Sequence, residues 1–394
     1  MNLKISSPYS KNVLFKTKES ILIDEDIIND FNKLYSKVRY EKINYPLINN
    51  SLNLIFDSLY DQTEDNLMQL FIEELRYHCN KILENDLKIQ ELNHNYQNNQ
   101  LNDFNKTAYD GLTKNNFFVI RINDRTINKI LNISRNHLEI FEKKRKLNQN
   151  TREDLSLNSG YVPRTICRLL NKEFQKMGIL NAVSKYMGFP VKVGGCALEL
   201  SVNEATWHNV KYYEGSNSKT KYFHHDESII DPKAIVYLSD VSEKNGPVSY
   251  LDESKIKLDI NGIQNIVGKA ILEVGGDPKR RLFNHYNLKG RRPFESKKLR
   301  NHFSRLPDIM KHNSHFGWDV EIGSEDEKNI LNNEIKVLGP KGTCLLFDGS
   351  RLLHRGGIVE NNSRVSLQVI FKNSADLKLH KRVLSKIKSL LNLS

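Results

Sequence analysis

Long apolar runs are absent from this 394-residue chain: none approaches the roughly 18 residues that a membrane-crossing helix needs. A helical membrane-spanning protein is therefore excluded. Cysteine is scarce. The four, at positions 79, 167, 196 and 344, stand far apart with no CxxC pair, which excludes a disulfide framework and a cysteine-built zinc site and fits thiols kept reduced in a cytoplasmic compartment. The opening stretch MNLKISSPYSKNVLFKTKES carries lysines but neither a continuous apolar segment nor a small-residue cleavage site. No secretory signal is expected, and the expected location is cytoplasmic. Helix-turn-helix, zinc-finger and RNP signatures are missing as well, which argues against a nucleic-acid partner.

What is present is length and unevenly placed charge. At about 150 residues per domain, the chain has room for two to three domains and a sizeable core. Its 59 Lys+Arg against 47 Asp+Glu give a formal net charge of +12. Residues 1–106 run against that sign, with 12 basic and 16 acidic side chains. The segment 279–305 holds ten basic residues, among them Arg280, Arg281, Arg291 and Arg292, and the single acid Glu295. Such concentration points to an anionic partner. Three uses are open: a solvated face, a lid that neutralises an anionic substrate, or a surface for an anionic macromolecule, since Phe283, Tyr286, Phe294 and Phe303 lie among the charges.

Periodicity divides the chain. Leu67, Leu70, Phe71, Leu75, Cys79 and Ile82 recur at three- and four-residue steps and predict an amphipathic helix over 63–84 that needs a packing partner. Residues 85–105 are rich in Asn and Gln and read as a linker, which makes 1–106 a helical N-terminal extension. Further helices are expected over 126–147 and 164–187, the second stopping at Gly188 with Pro190 just beyond. Short runs rich in β-branched and aromatic residues then appear at 191–202, 220–227, 233–239, 246–251, 343–348 and 364–372, with an earlier one at 117–122. Helices first and many short strands later predict an α+β fold whose core, within 107–375, is an antiparallel sandwich or barrel. In 376–394 the apolar residues Leu377, Val383, Leu384, Ile387, Leu390 and Leu391 outline a C-terminal helix packed on the outside of that core.

The strongest local signal is Tyr222-Phe223-His224-His225-Asp226-Glu227. In an extended strand, residues two apart share a face, so His224 and Asp226 can offer an imidazole nitrogen and a carboxylate to one divalent metal. His225 and Glu227 offer the same spacing on the opposite face. A second histidine would complete a 2-His-1-carboxylate triad with open positions for substrate and oxygen, and His354, after the apolar run 343–347 and the turn Asp348-Gly349, is the candidate. Ten residues later Arg364 opens another strand. Its guanidinium can grip a carboxylate with two parallel hydrogen bonds, and Ser366 shares its face as a further donor, the chemistry of a dicarboxylate anchor. Trp207, beside His208, is a candidate substrate contact, whereas His208 itself reads as a structural histidine. His285, His302, His312 and His315 show no ligand spacing and read as solvated.

This ordered set resembles the iron(II)/2-oxoglutarate-dependent oxygenases and, among them, the phytanoyl-CoA dioxygenase-like family. Phe117-Phe118-Val119-Ile120 resembles that family's opening strand. Ala234 to Val241, followed by Glu243-Lys244-Asn245-Gly246-Pro247, resembles its strand and turn after the metal motif. The resemblance covers about 108–373. It implies a double-stranded β-helix of jelly-roll or cupin-like kind with flanking helices, in which His224, Asp226 and His354 hold Fe(2+) and Arg364 binds the distal carboxylate of 2-oxoglutarate. The aromatic residue before His224 matches the family's order and favours His224 and Asp226 over His225 and Glu227. The implied chemistry consumes O2, converts 2-oxoglutarate to succinate and carbon dioxide, and hydroxylates a C–H bond of a substrate, here expected to be an anionic small molecule or a carrier-bound one. Asp226 argues against halogenation, which needs that carboxylate replaced by Ala or Gly.

Two departures shape expectations. Where the family often continues into Pro-Gly-Ser-His, this chain reads Tyr250-Leu251-Asp252-Glu253, and the long interval from Asp226 to His354 predicts an insertion at about 255–335. The basic segment falls inside it, so Arg280, Arg281, Arg291 and Arg292 become candidate substrate contacts on a lid. The competing class is a non-catalytic β-helix module that binds an anionic macromolecule through 279–305.

Overall fold

The computed structural model describes residues 20–38, 44–96, 104–203, 223–226, 231–252, 261–271, 273–277, 279–286, 296–311, 315–316, 325–357 and 359–374. In chain order its strands are β1 (Phe117–Arg121), β2 (Ser156–Leu157), β3 (Val191–Val202), β4 (Phe223–His224), β5 (Pro232–Tyr237), β6 (Ser249–Leu251), β7 (His315–Phe316), β8 (Glu334–Lys336), β9 (Thr343–Asp348), β10 (His354–Arg355) and β11 (Ser363–Asn373). They form two sheets with antiparallel pairing throughout. The larger has the order β1-β9-β5-β11-β3-β2 and the smaller β7-β4-β10-β6-β8. Consecutive strands β3, β4 and β5 fall in the larger, the smaller and again the larger sheet, so the chain winds between the two layers.

Alternation sorts the larger sheet into two faces. Leu198, Leu200, Ala234, Val236, Cys344, Leu346, Leu367 and Val369 share one core with the helices α4 to α7, which supply Leu112, Ile130, Ile166 and Val183 among others. These helices are α4 (Lys106–Asn115), α5 (Asp124–Lys146), α6 (Tyr161–Lys176) and α7 (Ile179–Met187). The intervening residues Ile235, Tyr237, Leu345 and Phe347 join Tyr250, Val337 and Leu352 in a second, smaller cluster. That cluster lies on the side of the larger sheet that faces the smaller one.

The helix expected over 164–187 is two helices. Gly178 divides α6 from α7 with φ +69°, a conformation that suits glycine. A Cβ there would also come within 2.8 Å of the Asn105 backbone nitrogen. Asn105 uses this close approach: its Oδ1 caps α4 at Ala108 N–H, and its Nδ2 donates to Met177 O.

Three helices precede this unit: α1 (Glu25–Tyr35), α2 (Tyr45–Asp61) and α3 (Asn66–Tyr96). The Asn-rich stretch expected as a linker over 85–105 is helical as far as Tyr96, because Glu84, Leu87, Lys88 and Glu91 are good helix formers. Residues 97–103 lie outside the described residues, as does the C-terminal helix expected over 376–394. The insertion supplies α8 (Gly262–Ala270), α9 (Leu282–Tyr286) and α10 (Lys297–Ser304), followed further on by α11 (Glu325–Asn332). Extension and insertion share one core, in which Phe31, Phe56 and Phe71 pack with Ile266, Leu299 and Phe303. Each such side chain contributes about 1.5–3 kcal/mol when fully buried.

Charge follows the same division. Arg280 Nε donates to Glu74 Oε2 at 2.8 Å, Arg305 pairs with Asp65 at 2.6 Å, and Ile263 N–H donates to Asn32 Oδ1 at 2.8 Å. The acidic extension and the basic insertion are thus complementary surfaces of one helical module. His285 and His302, expected as solvated, are half-buried in it: their rings stack with centroids 5.8 Å apart, and the Tyr286 hydroxyl hydrogen bonds His302 Nδ1 at 2.9 Å.

Candidate metal and carboxylate site

The smaller sheet brings two distant histidines together. His354 is the cross-strand partner of His224, so both side chains project from the same face, with ring centroids 4.4 Å apart. Asp226 follows two residues after His224, where its backbone N–H donates to Gly349 O at 2.7 Å. Its Oδ1 lies 4.0 Å from His224 Nε2 and its Oδ2 3.6 Å from His354 Nε2. One ligand atom from each of the three residues lies within 4.8 Å of the others. Such mutual distances suit three ligands on one face of a single ion, with the opposite face open.

Protonation states match that use. His354 is buried, and burial, reinforced by the neighbouring His224, pushes its pKa down to about 3. It is neutral near pH 7. Its Nδ1 lies 2.9 Å from Leu352 O; since a carbonyl can only accept, Nδ1 carries the hydrogen and Nε2 keeps its lone pair for a metal. Burial opposes charge on Asp226, but His354, Lys233 and His224 together hold its carboxyl well below the usual carboxylate range. Lys233 Nζ lies 2.8 Å from Asp226 Oδ2 and 3.0 Å from Asp231 Oδ2. Asp231 moves the other way, its pKa raised to about 6 by burial and by Asp226 and Asp348, against the pull of Lys233.

The turn that carries His354 into place is braced by Asp348, which is fully buried. Its Oδ2 accepts from Tyr186 OH at 2.5 Å, and its Oδ1 accepts from Asp231 N–H and from both the backbone and hydroxyl of Ser350. Gly349 follows. An added Cβ there would overlap the Asp226 carboxylate, so only glycine leaves that group its position. Neither Lys233 nor the role of Asp348 was expected from sequence. The available signal was the Asp-Gly-Ser turn, whose first residue commonly bonds the backbone two residues on.

Arg364 and Ser366 alternate with Val365 and Leu367, which face the helices, and so point to the enclosed side of the larger sheet. Ser366 is the cross-strand partner of Tyr237 on that side. Phe347 lies there too, its ring centroid 4.7 Å from that of His354. Triad and arginine therefore open on the same interior. Arg364 is 5 % exposed, and its guanidinium donates to Gly246 O and to Ser201 Oγ and has an Nε with no hydrogen-bond partner. Among the described residues no carboxylate comes within ion-pair distance of it. A buried cation without a counter-ion is costly, and an anionic ligand would relieve it.

The remaining candidates are dispersed. Arg280 is bound to Glu74 and stacks over the Tyr77 ring, 3.9 Å from its centroid. Arg281 is exposed nearby, and His225 is half-buried. Trp207, Arg291, Arg292 and Glu227 lie outside the described residues.

No protein-family model and no curated protein matches the chain. Among solved structures it is similar to EctD from S. alaskensis with 2-oxoglutarate and 5-hydroxyectoine, at 12% identity over 71% of this chain and 80% of that one, TM-score 0.37. A second is the non-heme alpha ketoglutarate dependent epimerase SnoN from nogalamycin biosynthesis, at 11% identity over 68% and 82%, TM-score 0.33. A third is HygX from Streptomyces hygroscopicus with nickel and 2-oxoglutarate bound, at 12% identity over 69% and 87%, TM-score 0.32.

Proposed function

We propose that this protein is an iron(II)/2-oxoglutarate-dependent oxygenase of the phytanoyl-CoA dioxygenase-like kind, built on a double-stranded β-helix. The interleaved orders β3-β11-β5-β9 and β4-β10-β6-β8, in which the chain crosses between two facing sheets at every step except from β6 to β8, support the fold. The observation that carries the function is the convergence of neutral His354, His224 and ionised Asp226 on the same interior as a buried arginine that, among the described residues, forms no ion pair and leaves its Nε without a hydrogen-bond partner.

The donors fit the groups. Two imidazole nitrogens and one carboxylate suit a divalent first-row metal such as Fe(2+), and Arg364 with Ser366 suits the distal carboxylate of a dicarboxylate. When bound, iron and 2-oxoglutarate supply the oxidation, in which O2 is divided between succinate and the hydroxylated substrate. The chain's own work is placement. Leu352 O fixes the tautomer of His354. Gly349 defines where the Asp226 carboxylate can sit. Phe117, Tyr250 and Phe347 form an apolar wall beside His354 that keeps bulk water from the reacting centre.

The prime substrate in this reading is an anionic small molecule or its carrier-bound form, met in the cytoplasm, with Trp207, Arg281, Arg291 and Arg292 as its contacts. Arg280 serves the helical module instead. Two strong cations of the basic segment, Arg280 and Arg305, are already matched by Glu74 and Asp65, which weakens the case for an anionic macromolecule. The test is uncoupled turnover: purified protein with Fe(2+), ascorbate and 2-oxoglutarate forms succinate in an iron-dependent manner. A protein that binds neither metal nor 2-oxoglutarate and forms no succinate overturns the reading.

A further inference from the structure

We propose that Lys233 is a resident counter-ion of the metal site, which a divalent metal must displace from Asp226 and for which Asp231 is the second seat. This rests on reading His224, Asp226 and His354 as the metal ligands. On β5, Lys233 shares a face with Ile235 and Tyr237 and therefore points into the same interior as His354. Its ammonium bridges two carboxylates, 2.8 Å from Asp226 Oδ2 and 3.0 Å from Asp231 Oδ2. All three groups are largely withdrawn from water, with side-chain exposures of 15% for Lys233, 17% for Asp226 and 30% for Asp231.

Asp226, Lys233 and Asp231 thus form an ion triplet. A divalent ion bonded to Asp226 adds two positive charges beside the ammonium, and at such separations in a partly dry interior their repulsion is large. The lysine need not leave the site to relieve it. It already touches Asp231, and small rotations in its flexible stem release Asp226 Oδ2 while the Asp231 contact is kept. Asp231 is held ready for this: its backbone N–H donates to Asp348 Oδ1, and its carbonyl accepts from Gly349 N–H. The measured metal affinity is then the difference between three new metal–ligand bonds and one lost ion pair. A cation that binds the triad weakly does not meet that difference, so Lys233 acts as a filter against weak binders.

Removing the ammonium should strengthen metal binding, and removing its second seat should weaken it. Mn2+ binding to the metal-free protein at pH 7.5, followed by isothermal titration calorimetry, measures both. Lys233→Met is expected to bind Mn2+ at least tenfold more tightly than the natural chain while its metal-free form melts several degrees lower. Asp231→Asn is expected to bind at least threefold more weakly, because Lys233 then stays on Asp226. Opposite signs are the signature, since general damage to the site weakens both. Circular dichroism confirms folding, and Lys233→Gln, with the same expected direction, replaces the Met variant if that one does not fold. Affinity of the folded Lys233 variant equal to or weaker than that of the natural chain overturns the proposal, and unchanged binding by Asp231→Asn overturns the second seat. Failure of the natural chain to bind Mn2+ is a different result, which removes the metal site itself.

Discussion

His224 and His354, 130 positions apart in the chain, are direct partners across the β4–β10 ladder, and this single pairing sets the distance between two ligand nitrogens. Each strand is only two residues long. The geometry is therefore held by what surrounds the pair: Tyr250 on one side of His354 in the sheet, and the braced turn at Asp348 to Ser350 before it.

His224→Ala, Asp226→Ala and His354→Ala should each reduce divalent-metal affinity by more than the roughly 10–100-fold typical of losing a group that only supports a ligand. His225→Ala should change it little. Co2+ absorption spectra of the four variants check this, and loss of the Co2+ signal in His225→Ala with retention in His224→Ala would reverse the assignment.

Gly349→Ala tests the close approach over Asp226. The new methyl overlaps the carboxylate, so either Asp226 or the turn must shift, and metal affinity should fall about tenfold or more. Thermal melting of the metal-free form separates this from unfolding. Natural affinity in the alanine variant would show that the carboxylate has room that the structure denies it.

Arg364→Lys keeps a charge but loses the planar fork. The apparent affinity for 2-oxoglutarate should drop at least about tenfold while Mn2+ binding stays within about twofold. Equal 2-oxoglutarate affinity in variant and natural chain removes Arg364 from the co-substrate site.

Glu74→Gln probes the helical module and carries a pH signature. Burial works against the Glu74 charge, but His78 and Arg280 hold its pKa below the ordinary value. A depressed carboxyl pKa gives stability that is present above the unfolded-state pKa and is lost as pH falls through the folded-state value. At pH 7 the variant should be less stable by about 1–2 kcal/mol, the scale of a charged hydrogen bond discounted for the partial exposure of Arg280. The gap should narrow as pH falls below about 4.3. Urea titrations at pH 7 and pH 3.5 decide it, and a gap that does not depend on pH would assign the loss to packing.

Much of the sheet was legible because its signals are local. The β-branched stretch ends at Val202 and the apolar run at 343–348 ends at a turn, and both are strands with those bounds. The spacing of His224 and Asp226 and the ten-residue interval from His354 to Arg364 could likewise be read directly. Other features depend on long-range partners. Lys233 looks like any strand lysine until Asp226 and Asp231 are placed beside it. Asp348 looks like a turn residue until Tyr186, 162 positions earlier, arrives at its carboxylate. The basic segment read as a surface for an anionic partner, and part of that partner is the chain's own N-terminal extension, through Glu74 of α3 and Asp65 just before it. Charge totals show the complement of two segments but not that they meet.

The shared core of extension and insertion sets a timetable for the growing chain. Asn32 waits for Ile263, 231 positions later, and at about 5–20 residues per second that wait lasts roughly 10–45 s on the ribosome. Throughout it, the faces of α1 to α3 that will bury Phe31, Phe56 and Phe71 have each other but not Ile266, Leu299 or Phe303. The nascent chain is therefore most vulnerable while α1 to α3 await the insertion, and slower translation ahead of the insertion should increase aggregation of nascent chains more than the same delay placed after Met310.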